Sequence, residues 1–74
     1  MRVKVKLFAT LAKGRFGERG LELNASTTVL DVVNLVGVDS NDVALIFVNG
    51  RHSSFDYLLQ EDDRLSLFPP IGGG

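Results

Sequence analysis

Ser26-Thr27-Thr28-Val29-Leu30-Asp31-Val32-Val33-Asn34-Leu35-Val36-Gly37 is the stretch whose conformation decides the fold. By composition alone it favours a strand, because β-branched valine and threonine suit a pleated surface. Its spacing favours a helix: Val29, Val32, Val33 and Val36 stand at i, i+3, i+4 and i+7 and line one side. Thr27 or Thr28 can cap the start, Asp31 suits the positive end of the first turn, and Gly37 fits just past the last. Each valine costs less than ~0.7 kcal/mol relative to alanine in a helix, and burial of the stripe outweighs that. The spacing predicts a helix.

Strands are predicted on both sides of it. Arg2-Val3-Lys4-Val5-Lys6-Leu7-Phe8 alternates with period two, Val3, Val5 and Leu7 pointing one way and Arg2, Lys4, Lys6 and Phe8 the other. Phe8 is thereby an aromatic on a charged face. Ala9 to Ala12 is a short amphipathic piece, and Gly14, Gly17 and Gly20 mark a loop carrying Arg15, Glu18 and Arg19. Leu21-Glu22-Leu23-Asn24 reads as a short second strand, antiparallel to the first. After the helix, Asp39 to Asp42 is a polar turn and Val43 to Val48 an apolar strand, closed by the Asn49-Gly50 hairpin signal. Arg51 to Ser54 is a brief return strand. Phe55 to Asp63 is a loop plugged by Phe55, Leu58 and Leu59 and ending in a solvated acidic turn, Glu61-Asp62-Asp63. Arg64-Leu65-Ser66-Leu67-Phe68 alternates again, Leu65 and Leu67 inward. One helix must cover the apolar face of a mixed sheet of four or five strands, which makes the class α+β. With the last strand parallel to the first at the centre, the architecture is a β-grasp roll over residues 1–68 followed by a tail, 69–74.

Seventy-four residues fit one domain, and eight basic against nine acidic residues give a formal net charge of −1. No basic excess points to a nucleic-acid partner. The chain has no cysteine, hence no disulfide, thiolate zinc site or persulfide of its own, and its single histidine, His52, cannot build a histidine metal site. No apolar run approaches the ~20 residues of a membrane span, and Arg2, Lys4 and Lys6 interrupt any leader-like stretch. A cytoplasmic protein that touches no membrane is the expectation. His52, Ser53 and Ser54 are sequence neighbours, but adjacent strand residues point to opposite faces, so they do not form a triad. His52 reads as a half-exposed strand residue. Glu61, Asp62 and Asp63 lack the alternating ligands of a calcium loop.

The end of the chain is different. Pro69 and Pro70 fix φ and cannot donate to a ladder, so they end the last strand and send the backbone out as a stiff stem. Gly72, Gly73 and Gly74 remove every side chain beyond it. Fully extended, Pro69 to Gly74 reaches ~20 Å, at ~3.3 Å per residue. Such a thread can enter a channel that side chains would block, carrying the α-carboxylate of Gly74, an anion that must be activated before it reacts. A frayed terminus is the alternative reading of the glycines alone. Phe8 and Phe68, on the polar faces of neighbouring strands, form an apolar docking patch at the base of this tail.

Lys4-Val5-Lys6-Leu7-Phe8-Ala9, Thr28-Val29-Leu30-Asp31, Val48-Asn49-Gly50 and the run from Asp62-Asp63-Arg64 to Phe68-Pro69-Pro70-Ile71-Gly72-Gly73-Gly74 together resemble the small subunit of molybdopterin synthase, in the MoaD/ThiS group of ubiquitin-like sulfur carriers. The Phe-Pro-Pro-x-x-Gly-Gly ending is the specific part. The resemblance implies a carrier with no bound cofactor and no independent catalytic site. An adenylating enzyme similar to ubiquitin-activating proteins (MoeB/ThiF-like) would use ATP and magnesium to form an acyl-adenylate on Gly74. A sulfur donor protein would convert it to a thiocarboxylate. The large synthase subunit (MoaE-like) would receive the tail and the sulfur for molybdopterin. Gly74 is then the reactive residue, Gly72 and Gly73 give access, Pro69 and Pro70 aim the tail, and Phe8, Phe68 and His52 meet partners. His52 departs from the pattern, since relatives often present an aliphatic side chain there. Sulfur delivery for thiamine or another metabolite, a ubiquitin-like modifier joined to lysines, and a plain interaction module with an inert tail are the alternatives.

Overall fold

Alternation along the first segment puts Val3, Val5 and Leu7 in the core and leaves Arg2, Lys4 and Lys6 exposed, and Arg2–Leu7 forms strand β1. The computed structural model describes residues 1–70. It continues with β2 (Glu18–Glu22), helix α1 (Val29–Leu35), β3 (Leu45–Val48), β4 (Arg51–His52) and β5 (Arg64–Phe68). Short 3₁₀ turns at Ala9–Leu11 and Ser40–Asp42 flank this core framework. The five strands form one sheet in the order β2-β1-β5-β3-β4. β1 and β5 run parallel at its centre, Val5 beside Leu65 and Leu7 beside Leu67, and all other pairs are antiparallel.

Helix α1 packs on one face of the sheet. Val29, Val32 and Val33 are fully buried, while Val36 is half-buried at the fraying end. Of the two candidate caps, Thr28 is the one used: its hydroxyl accepts from Asp31 N at 3.1 Å, and Thr28 N donates to the Asp31 carboxylate at 2.9 Å. This reciprocal capping box satisfies two donors that a helix start leaves unpaired. The two hydrogen bonds from Thr28, its backbone first, hold the Asp31 carboxyl below its ordinary value of 3.8. Gly37 ends the helix with φ +81.

The hairpin behaves as its dipeptide predicts. Val48 pairs with Arg51, and Asn49 and Gly50 both take positive φ (53° and 80°), the geometry of a type I′ turn.

Five expectations need correction. β2 is Glu18–Glu22, not Leu21–Asn24. It lies at the sheet edge, with its charged residues paired across to β1: Lys4 and Lys6 reach Glu18 at 3.3 and 3.7 Å, and Arg2 reaches Glu22 at 2.9 Å. An edge strand solvated on both sides for most of its length shows little alternation. The return strand is only Arg51–His52, and β3 starts at Leu45 rather than Val43. Leu58 is 51% exposed and plugs nothing, because the loop is extended there, bridging to Thr28, and Leu59 takes the inward position instead. Finally, the acidic turn is not wholly solvated: Asp63 is 5% exposed. Its Oδ1 accepts from Asn49 Nδ2 at 2.8 Å, and its Oδ2 from Gln60 N at 2.8 Å and Tyr57 OH at 3.3 Å. Asn49 Oδ1 in turn accepts from Arg64 N at 2.9 Å, which ties the hairpin turn to the start of β5. Burial, then the charge of Asp63 and its hydrogen bond, raise the Tyr57 phenol above its ordinary 10.0.

Candidate functional site

The sheet face that α1 does not cover carries the site. Period-two alternation decides which side chains reach it: Phe8 from the end of β1, Ser66 and Phe68 from β5, Leu45 and Phe47 from β3, and His52 from β4. Parallel pairing of Leu7 with Leu67 brings the following residues level, and the Phe8 and Phe68 rings stack nearly parallel, centroids 4.2 Å apart and planes 12° apart. Phe47 meets Phe68 edge to face at 5.7 Å and 84°. His52 meets Phe47 in the same way at 5.3 Å and 86°. The result is a continuous row, Phe8–Phe68–Phe47–His52, across four strands. Each phenylalanine is half-buried, because neighbouring rings shield one another, and His52 is exposed. Aromatic pairs of this kind contribute ~0.5–1.5 kcal/mol beyond their area burial, so the row is a pre-ordered apolar surface.

The structure thus brings together Phe8, Phe68 and His52. Phe47 was missed in the sequence, where Val43 to Val48 reads as one unbroken apolar run. The two-residue hairpin held the missing signal: once Asn49-Gly50 fixes Val48 opposite Arg51, Phe47 must lie opposite His52 on the open face. His52 and Ser53 do not meet. Ser53 donates its backbone N–H to Ile46 O at 2.9 Å, whereas the His52 ring turns to Phe47.

The root of the tail is part of this face. The Phe68 carbonyl accepts from Ala44 N at 2.8 Å and Phe8 N donates to Leu67 O at 3.1 Å, so the last residues of β5 are gripped from both neighbours. Pro69 is half-buried and Pro70 exposed, both lining a shallow recess with Thr10, Leu11, Arg15, Val38 and Asp42. Gly72, Gly73 and Gly74 lie outside the described residues. Among the described residues, no three acidic or histidine side chains come close enough to hold a metal ion, and no helix is long and apolar enough to cross a membrane.

The ThiS family pattern matches residues 5–74. The chain belongs to the ThiS family. No curated protein matches it in sequence. Among solved structures it is similar to a protein described as molybdopterin converting factor, subunit 1, from Pyrococcus furiosus, at 32% identity over 96% of this chain and 99% of that one, with a TM-score of 0.75. It is similar to small archaeal modifier protein 1 (SAMP1) from Haloferax volcanii at 26% identity over the whole of both chains, TM-score 0.79. A Helicobacter pylori complex of subunits 1 and 2 of molybdopterin-converting factor shares the fold at 20% identity over the whole of both chains, TM-score 0.67. These neighbours are ubiquitin-like β-grasp proteins, and this ThiS-family chain has that fold with one helix on a five-stranded mixed sheet.

Proposed function

We propose that this ThiS-family protein is a sulfur carrier for molybdopterin biosynthesis, loaded at the carboxylate of Gly74. The observation that carries the reading is the junction at Phe68, whose ring completes the aromatic row while its carbonyl is held by Ala44 N, immediately before the Pro69-Pro70 stem. A partner that docks on Phe8, Phe47 and Phe68, with His52 at the rim, receives the tail from a fixed origin. Family membership and the likeness to a molybdopterin converting factor support the same reading.

In the proposed cycle the adenylating enzyme holds ATP and magnesium, and this chain supplies only the acceptor carboxylate. A Gly74 oxygen attacks the α-phosphorus of ATP and pyrophosphate leaves. Hydrosulfide, supplied by a sulfur donor protein, attacks the acyl carbon; the C–S bond forms, the C–O bond to phosphate breaks and AMP departs. The resulting thiocarboxylate is a better nucleophile than a carboxylate, and a large synthase subunit receives it. Gly72 and Gly73 let the thread pass a narrow channel, and Pro69 and Pro70 aim it. With no cysteine, the chain cannot hold sulfur as a persulfide of its own, and the terminal carbonyl takes that place in this cycle.

A second reading, a modifier joined to lysines of other proteins, is favoured by the likeness to small archaeal modifier protein 1. It differs only in the final nucleophile, a lysine amine in place of sulfide. Intact mass spectrometry after incubation with the cognate activating enzyme, ATP and sulfide tests both readings. The mass gain of one oxygen-to-sulfur exchange, absent when Gly74 is deleted, is the expected result. Unchanged mass refutes carriage, and higher-mass protein adducts without any thiocarboxylate favour the modifier.

A further inference from the structure

The helix side of the sheet carries a groove of about 500 Å³ between β2, the loop before it and the C-terminal end of α1. Its floor is apolar: Phe16, Leu21 and Val36 are half-buried, and Leu35 on its wall is 65% exposed, more than any other large hydrophobic among the described residues. Its charged lining is entirely basic. Arg19 lies over the Phe16 ring, 4.5 Å from its centroid, and Arg15 reaches the Gly37 and Leu11 carbonyls at 2.7 and 3.2 Å. Neither pairs with a carboxylate among the described residues, because the acidic residues of β2, Glu18 and Glu22, engage Arg2, Lys4 and Lys6 on the other sheet face.

A backbone edge borders the groove. Met1 and Leu23 exchange hydrogen bonds at 2.7 and 2.8 Å, and Leu7 N donates to Gly17 O at 2.9 Å, which fixes the parity of the β1–β2 ladder. Val3 and Leu21 then form a hydrogen-bonded pair, as do Val5 and Arg19, and the N–H and C=O groups of Glu18, Gly20 and Glu22 point away from β1. β2 is an edge strand, so these groups have no strand to pair with.

We propose that this groove is a second docking site, for an extended segment of a partner protein that carries apolar and acidic side chains on one face and adds to β2 as a further strand. Backbone pairing with Glu18, Gly20 and Glu22 supplies attraction. Every second side chain of the segment faces the groove: the apolar ones lie over Phe16, Leu21, Leu35 and Val36, and carboxylates on that same face meet Arg15 and Arg19. Charge selects the occupant: two guanidiniums beside an apolar floor reject a basic segment and accept an acidic one. The aromatic row stays free while this site is filled, and only Arg15 also borders the recess under Pro69 and Pro70, so a partner can hold the protein from behind during loading. The proposal stands apart from the carrier reading.

The test is a titration of the full chain with a fluorescent peptide in which valine and glutamate take turns at every second position with serine between them, against the same peptide with lysine in place of glutamate. Saturable binding of the glutamate peptide alone is expected, with slowed amide exchange at Glu18, Gly20 and Glu22. Arg19→Glu and, separately, Leu35→Ser should each weaken it ~10-fold or more, as for a central anchor. Loading at Gly74 should be unchanged in both variants, which separates failure here from failure of the carrier reading. Equal binding of the two peptides, indifference to Arg19→Glu, or concentration-dependent pairing of the β2 edge with a second copy instead of the peptide overturns the proposal.

Discussion

Asp63→Ala should remove about a quarter to three-fifths of the protein's stability. The side chain is 5% exposed and satisfies donors from three residues. Two of its hydrogen bonds are short, from Asn49 Nδ2 and Gln60 N at 2.8 Å, and the third, from Tyr57 OH at 3.3 Å, adds little. A buried donor left unpaired costs ~1–3 kcal/mol, and because water can reach the rim of this pocket, each short bond belongs at the low end, ~1 kcal/mol. Asn49 also loses the orientation with which its Oδ1 accepts from Arg64 N, worth ~0.5 kcal/mol more. The sum is ~2.5 kcal/mol, against a total of ~4–11 kcal/mol for a chain of this length. Urea unfolding measures it: with a slope of ~1 kcal/mol/M the midpoint falls by ~2.5 M at unchanged slope. Asn49→Ala breaks part of the same network, so the double variant should lose clearly less than the sum of the singles. Asp63→Asn turns an amide donor toward existing donors and should lose most of the same stability. A loss below ~0.5 kcal/mol for Asp63→Ala, or full additivity with Asn49→Ala, would refute the network as the link between hairpin and β5.

Thr28→Ala should cost ~1 kcal/mol in the same assay by removing the cap. The Asp31 carboxyl in that box has a folded pKa below its ordinary 3.8, so its contribution is present above that value and disappears as pH falls through the folded pKa; urea midpoints of the wild type and Asp31→Asn should converge in strong acid. Tyr57 has the opposite sign: its pKa is raised from 10.0, so the stability it brings is complete below that pH and is lost as pH rises through the folded value. It is the only tyrosine, and phenolate absorbance of the native and urea-unfolded chain should show the later onset in the native one. Gly50→Ala should cost ~1 kcal/mol, because a Cβ there meets open space but φ +80 strains any L side chain; a neutral result in thermal melts would contradict the type I′ turn. Phe68→Ala should weaken binding to the activating enzyme ~10-fold or more, measured by calorimetry; unchanged affinity would take the aromatic row out of the docking account.

The sequence made the helix legible because two signals agreed, the valine stripe and the end residues (Thr27 or Thr28 with Asp31, then Gly37), against a β-branched composition that pointed elsewhere. Val3, Val5, Leu7, Leu65 and Leu67 were equally plain, since a central strand with one covered face must alternate. The margins were not. Glu18, Arg19 and Gly20 carry no alternation because an edge strand has little to bury there, and their pairing depends on lysines in β1 that only the register identifies. Asp63 was hidden for another reason. Three consecutive acidic residues look solvated, but Asp62 adopts φ 68, and the chain turns so that the third acid points inward to waiting donors. The stacking of Phe8 with Phe68 followed from parallel pairing, whereas Phe47 needed a turn type and a register taken together.

β5 sits between β1 and β3, so synthesis must reach Phe68 before the hydrophobic interior can close. A ribosome that stalls earlier releases a chain lacking its middle strand, with half the sheet unable to join the other half. Such a fragment has no closed core and cannot assemble the aromatic row, which needs Phe68 from β5. The order in which strands are made therefore acts as a quality check: any copy that matures has already passed the point where its stem begins.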